Sequence, residues 1–141
     1  MKQSLVRFFE FRVRRANIRQ LLLNLVANAA EAIGGVDGAI SIATGSTWAD
    51  RELLAEAQGA SDPREGRYAY LRVQDSGQGI DARVLKRLFD PFFSTRYAGR
   101  GLGLSAAFGI VRRHGGVIQV GSPPRGGAAF TILLPCFTAE R

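Results

Sequence analysis

The sequence predicts an α+β domain, and three features carry that expectation. Residues 16–34 and 104–114 place apolar side chains at helical spacing. Residues 39–48, 68–73, 117–120 and 128–134 alternate or run apolar as strands do. Strand and helix are linked by tight glycine-bearing turns, Asp75-Ser76-Gly77-Gln78-Gly79-Ile80 foremost. This six-residue stretch organises the chain. Its two glycines permit a sharp turn and the close approach of a flat ligand, with no Cβ in the way. Its carboxylate, acceptor-only when ionised, suits a ligand that offers an N–H donor, such as the exocyclic amine of adenine. A plain strand–turn with an Asp cap fits the same six residues.

At 141 residues the chain is long enough for one domain with a real core. No apolar run reaches the roughly 18 residues that a membrane span needs. No signal peptide is visible, so the expected location is cytoplasmic. The single cysteine, Cys136, excludes an internal disulfide and a cysteine-ligated zinc site. The net charge of +7 suits an anionic ligand. The arginines are scattered, which argues against nucleic acid as a partner.

Residues 5–13 mix apolar and charged positions and read as a short strand. In the helix 16–34, Ile18, Leu21, Leu22, Leu25, Ala29, Ala32 and Ile33 recur at helical spacing, Asn17 can cap the start, and Gly34-Gly35 stops it. Asn24, Asn28 and Glu31 form one polar stripe on it. The stripe is either a solvated face or the lining of a polar site, where Asn28 could give an amide oxygen to a hard cation such as Mg²⁺. Asp37-Gly38 signals a turn into the strand 39–48. Residues 49–66 read as a loop, with a helical turn at Leu53-Leu54.

Beyond the turn at Asp75, residues 81–88 read as a short helix capped by Asp81. Leu88-Phe89-Asp90-Pro91-Phe92-Phe93 is a packing knot or a binding box. Gly99, Gly101 and Gly103 then form a loop that opens the helix 104–114, where free N–H groups and the dipole's positive end favour phosphate. The spacing is neither the dinucleotide fingerprint nor a P-loop. His114, the single histidine, reads as a C-terminal dipole partner before a glycine cap. Strands 117–120 and 128–134 close the chain around the turn-rich 121–127, and Pro135 ends the last of them.

Five pieces therefore stand in a fixed order: the helix with Asn24 and Asn28, Asp-x-Gly-x-Gly after a strand, the phenylalanine cluster, Gly-x-Gly-x-Gly opening a helix, and Gly-Gly before the last strand. Together they resemble the N, G1, F, G2 and G3 boxes of the catalytic ATP-binding domain of sensor histidine kinases, within the gyrase, Hsp90, histidine kinase and MutL ATPase superfamily. The likeness covers roughly residues 16–135 and is strongest to nitrogen-regulator-type kinases, through Asn28–Ala32, Phe89–Arg96 and Gly109–Gly116.

The resemblance implies a two-layer α/β sandwich, a mixed and mostly antiparallel sheet with helices on one face. It implies ATP and Mg²⁺ as cofactors, with Asn28 on the metal. It marks Asn28, Glu31, Asp75, Gly77, Gly79, Ile80, Phe92, Thr95, Gly101, Leu102, Gly103 and Leu104 as nucleotide-binding, and Asn24, Arg96 and Arg100 as catalytic. Residues from about 94 to 100 would be a mobile lid. The chemistry would be in-line transfer of the γ-phosphoryl to a histidine on a partner domain, mainly by positioning and charge neutralisation. Hydrolysing members carry a glutamate where Asn24 stands, and an amide is no general base. Phosphotransfer is expected over hydrolysis.

Three departures qualify the match. The dimerising hairpin that carries the phospho-accepting histidine is absent, so residues 1–141 are expected to form a single catalytic domain, monomeric, acting on a separate histidine-bearing domain and through it a response regulator. Arg14-Arg15-Ala16-Asn17 lacks the acidic residue usual before the first helix. Ala128 replaces a threonine whose hydroxyl helps hold adenine, a loss of about 1 kcal/mol, roughly fivefold. The competing readings are a non-catalytic nucleotide-dependent interaction module and a serine kinase of the anti-sigma type.

Overall fold

The computed structural model describes residues 15–86, 88 and 104–136, and of Val84 the backbone alone. The expected strand at 5–13 and the phenylalanine and glycine-rich stretches up to residue 103 lie outside the described residues, Leu88 excepted.

Helix α1, Arg15–Ile33, buries Leu21, Leu25, Asn28, Ala29 and Ala32, one stripe at steps of three and four. It begins before the expected cap, so Asn17 lies inside the first turn. Arginine and alanine are good helix formers and extend the helix past the asparagine. Gly34 ends it at φ 74°, donating its N–H to the Ala30 carbonyl at 3.2 Å.

Strand β1, Ile40–Ala49, follows, and then helix α2, Arg51–Glu56. The turn expected at Leu53-Leu54 is thus a six-residue helix, capped by the Asp50 carboxylate, which accepts from the Leu53 N–H at 2.9 Å. Strand β2, Gln58–Gly59, was not foreseen inside the expected loop. It exists because Gln58 and Gly59 pair with Ile118 and Val117, a contact between segments far apart in sequence.

Strand β3, Gly66–Asp75, is longer than the expected 68–73, because all ten of its residues find partners along β1. Helix α3, Ala82–Leu85, is shorter than the expected 81–88, and Asp81 does cap it, accepting from the Arg83 N–H at 2.8 Å. Helix α4, Leu104–Arg113, is followed by strands β4, Val117–Gly121, and β5, Ala129–Pro135. At the end of α4, Gly115 takes φ 72° and His114 Nδ1 sits 2.7 Å from the Ile110 carbonyl, the C-terminal role expected of this histidine.

The sheet order is β1-β3-β5-β4-β2, and every described pairing is antiparallel. Helices α1 and α4 cover one face. Leu21, Leu25 and Ala29 of α1 and Ala107, Ile110 and Val111 of α4 pack there on Val73, Ile118, Phe130, Ile132 and Leu134. Because side chains alternate along a strand, Leu133 and Tyr68 point to the opposite face. There, with Val117 and Ala49, they bury Leu54 of α2. Two clusters of unequal size therefore clamp the sheet. The larger one sets the base of α1, and with it the placement of Asn28. Among the described residues no helix is long and apolar enough to cross a membrane.

Candidate nucleotide site

The site grows from the end of β3. Asp75 is 3% exposed, and its Oδ1 accepts from the Gly77 N–H at 2.9 Å and the Ala128 N–H at 3.3 Å. Its own N–H donates to the Ala128 carbonyl at 2.9 Å. The carboxylate thus closes the turn behind it and ties that turn to the start of β5. One residue on, the Ser76 N–H donates to the Ala39 carbonyl at 3.1 Å, and the Ala39 N–H donates to Ser76 Oγ at 2.8 Å. Backbone segments before β1, after β3 and before β5 are therefore joined at one point.

Two glycines make that junction possible. A Cβ on Gly77 would stand 2.5 Å from the Ala32 carbonyl oxygen, so the turn lies directly against the last turns of α1. A Cβ on Gly127 would stand 1.9 Å from the Asp75 carbonyl oxygen, and Gly127 also takes φ 80°. Gly127 is absent from the residues marked as binding. Its Gly-Gly motif was visible in sequence, but its contact with Asp75 depends on sheet pairing. A Cβ on Gly79, which takes φ 78°, would stand 3.3 Å from the Gly127 carbonyl oxygen, a looser fit than at Gly77.

Asn28 enters from the helix layer. It is one turn before Ala32 on the same face of α1, and so lies on the side of the helix that meets the Gly77 turn. Asn28 is 2% exposed, and neither its Oδ1 nor its Nδ2 has a hydrogen-bond partner among the described residues. A buried amide left unsatisfied costs about 1–3 kcal/mol. Such an orphan is the donor chemistry that a hard cation or a polar ligand would satisfy.

The other members of the stripe diverge from it. Glu31 is exposed. Asn24 is half-buried, and its Oδ1 accepts from Gln20 Nε2 at 2.8 Å. Ile80 is partly buried against the main core, and Leu104 is fully within it. Phe92, Thr95, Arg96, Arg100, Gly101, Leu102 and Gly103 lie outside the described residues. Near the far end of β5, burial pushes the Cys136 thiol up, against the opposing pull of the Ala69 backbone and the Arg67 charge. A thiol held protonated is a poor nucleophile.

The sheet thus carries α1 and α4 on one face, with a buried carboxylate in a glycine turn and a buried helix amide beside it. The chain belongs to the histidine kinase-, DNA gyrase B- and HSP90-like ATPase family, whose model matches residues 14–137. It is 38% identical over 121 residues to the signal transduction histidine-protein kinase AtoS of Escherichia coli, covering 86% of this chain and 17% of that protein. It is 38% identical over 123 residues to the sensory histidine kinase/phosphatase NtrB of Azospirillum brasilense, covering 87% of this chain and 30% of that one. Among solved structures, the nucleotide-free catalytic domain of histidine kinase ThkA superposes with a TM-score of 0.63 at 29% identity, over 89% of this chain and 70% of that one. The chain thus spans less than a third of the length of the two relatives named.

Proposed function

We propose that this chain binds ATP with Mg²⁺ and transfers the γ-phosphoryl to a histidine on a separate dimerisation domain, from which it passes to a response regulator. The domain would act in the cytoplasm. The observation that carries this reading is the Asn28 amide, buried at 2% exposure without a hydrogen-bond partner among the described residues. A helix interior keeps such a group at a cost in stability, and a ligand that completes its bonds gives a reason for it.

Within this reading Asn28 holds Mg²⁺, and the ion when bound neutralises charge on the phosphates. Asp75 accepts from the adenine amine. Gly77 and Gly79 shape the turn beneath the base. The backbone of Gly101, Gly103 and Leu104 meets the phosphates, Thr95, Arg96 and Arg100 lie beside them, and Glu31, Ile80, Phe92 and Leu102 complete the set. Asn24, whose Oδ1 already accepts from Gln20, activates no water, which favours transfer over hydrolysis.

Calorimetry with a non-hydrolysable ATP analogue, with and without Mg²⁺, tests the pocket. Mg²⁺-dependent binding by the wild type, lost in Asp75→Asn, is the expected result. No binding by a folded wild type removes the kinase reading and leaves the fold. Supplying a histidine-bearing hairpin with labelled ATP then tests transfer. An acid-labile product is expected, whereas an acid-stable one marks a serine kinase.

A further inference from the structure

We propose that the sheet face turned away from α1 and α4 docks a protein segment that presents a carboxylate, and that Arg72 is the group that grips it. The inference is independent of nucleotide binding.

The strand registers set out this face row by row. Ala43, Arg72, Thr131 and Gln119 stand side by side across β1, β3, β5 and β4. On one side of that row lie Ser41, Gln74, Ala129 and Gly121, and on the other Gly45, Tyr70, Leu133 and Val117. Side chains alternate along a strand, so all three rows share the face on which Leu133 and Val117 bury Leu54. Helix α2 therefore covers the apolar half alone. Among the described residues the polar half is an open groove of ≈300 Å³, lined by Arg72, Gln74, Gln119, Ser122, Ala129 and Thr131 among others.

Arg72 is held in one arrangement. Its Nε donates to Thr131 Oγ1 at 3.1 Å, and Thr131 is 6% exposed. Its guanidinium carbon lies 5.4 Å from the centre of the Tyr70 ring, in cation–π range. That ring is itself set over β1. A Cβ on Gly45 would stand 2.8 Å from Tyr70 Cε2 and from its hydroxyl oxygen, so the tyrosine lies where a glycine leaves room. Fixing an arginine costs side-chain entropy, and here that cost falls before any ligand arrives. With Nε engaged, the two Nη groups remain as an end-on fork of N–H donors on an exposed side chain. Among the described residues Arg72 has no ion pair, and no acidic residue lines the groove.

The fork and its surroundings select the occupant. Two parallel N–H donors match a carboxylate in geometry. The single positive charge matches its single negative one, and the groove's lining holds no second cation for a phosphate dianion or a nucleic-acid backbone. The Gln74 and Gln119 amides offer both donors and acceptors beside the arginine, which suits the N–H and C=O groups of the peptide that carries the carboxylate. The groove is open, whereas small-molecule sites enclose most of their ligand. An acidic segment of a partner protein fits all of these, and the chain's net charge of +7 favours its approach.

Titration of the isotope-labelled full chain with a blocked peptide of alternating Glu and Thr, followed by NMR, tests the proposal. The Arg72 Nε–Hε signal and the side-chain amides of Gln74 and Gln119 should shift together, with a Kd below about 1 mM. Affinity should fall as salt is raised. The same peptide with Gln in place of Glu should bind at least about tenfold more weakly. Arg72→Gln should lose at least about tenfold, and Arg72→Lys, which keeps the charge without the fork, at least about threefold. Arg72 is exposed and lies on the face away from α1, so both variants should fold and keep the wild-type response to the ATP analogue. No shift of the Arg72 signal at about 5 mM peptide overturns the proposal. A peptide affinity indifferent to Arg72→Gln overturns it equally. Inorganic phosphate that shifts the same signals at lower concentration than the peptide marks a free oxyanion site, and overturns docking.

Discussion

A methyl group on Gly127 would stand 1.9 Å from the carbonyl oxygen of Asp75, far closer than non-bonded heavy atoms can approach. The backbone entering β5 and the backbone leaving β3 are thus pressed together at the residue whose carboxylate anchors the candidate site. Gly127→Ala adds this clash to an unfavourable φ of 80°. The neighbouring Gly126 has φ 95° but open space around it, which makes it a control for strain alone. Gly127→Ala should cost about 3 kcal/mol and Gly126→Ala about 1 kcal/mol. A thermal melt should show a drop of about 10 °C for the first and a much smaller one for the second. Equal drops would mean that the close approach to Asp75 is unimportant.

Asp75→Asn separates anchoring from recognition. The amide oxygen can still accept from the Gly77 N–H, so the turn should survive with a loss of about 1 kcal/mol. An amide has only one acceptor atom where the carboxylate has two. Binding of an adenine nucleotide should therefore weaken by at least about tenfold, and calorimetry beside a melt distinguishes this from unfolding. Unchanged affinity would take Asp75 out of the nucleotide site and leave it a purely structural clamp.

These residues show where sequence stops being legible. Helices α1 and α4 and strands β3 and β5 announce themselves because their apolar periodicity is local. Asn28 and Asp75 were picked out because a polar group in an apolar element is conspicuous, and because the order of motifs resembles one family. Strand β2 was invisible since nothing in Gln58-Gly59 favours extension, and its two residues are held by β4. The capping role of Asp50 was legible in principle, because an aspartate before Leu53-Leu54 is an N-cap signal, yet the polar run around it obscured the helix. Glu31 was grouped with Asn28 by helical spacing alone. Spacing fixes a face and not its depth, and Glu31 stands exposed at the margin where Asn28 is buried.

The buried amide makes a prediction in which stability and binding move in opposite directions. Asn28→Leu replaces an unsatisfied polar group by an apolar one of similar size. The ligand-free protein should become more stable by about 1 kcal/mol, where most core substitutions destabilise. Binding of the ATP analogue should lose its dependence on Mg²⁺. A melt that falls together with the loss of binding would show that Asn28 is satisfied in solution, by water or by residues outside those described, and that its burial reports no ligand.

Asn24 tests why the chain should transfer phosphate and not release it to water. Its Oδ1 accepts from Gln20 Nε2 at 2.8 Å, and Gln20 can donate to a carboxylate at the same place. Asn24→Glu should therefore fold normally and keep the nucleotide affinity of the wild type. A positioned carboxylate acting as general base contributes about 10²–10⁴-fold in favourable cases. An unoptimised one one helical turn before Asn28 should raise ATP hydrolysis by at least about tenfold, read as phosphate release under excess nucleotide. The gain should rise with pH through the glutamate's titration, because only the ionised form can take a proton from water. Hydrolysis that stays at the wild-type level, in a variant that still binds the ATP analogue, would show that residue 24 does not face the attacking water. The preference for transfer would then have to come from elsewhere in the site.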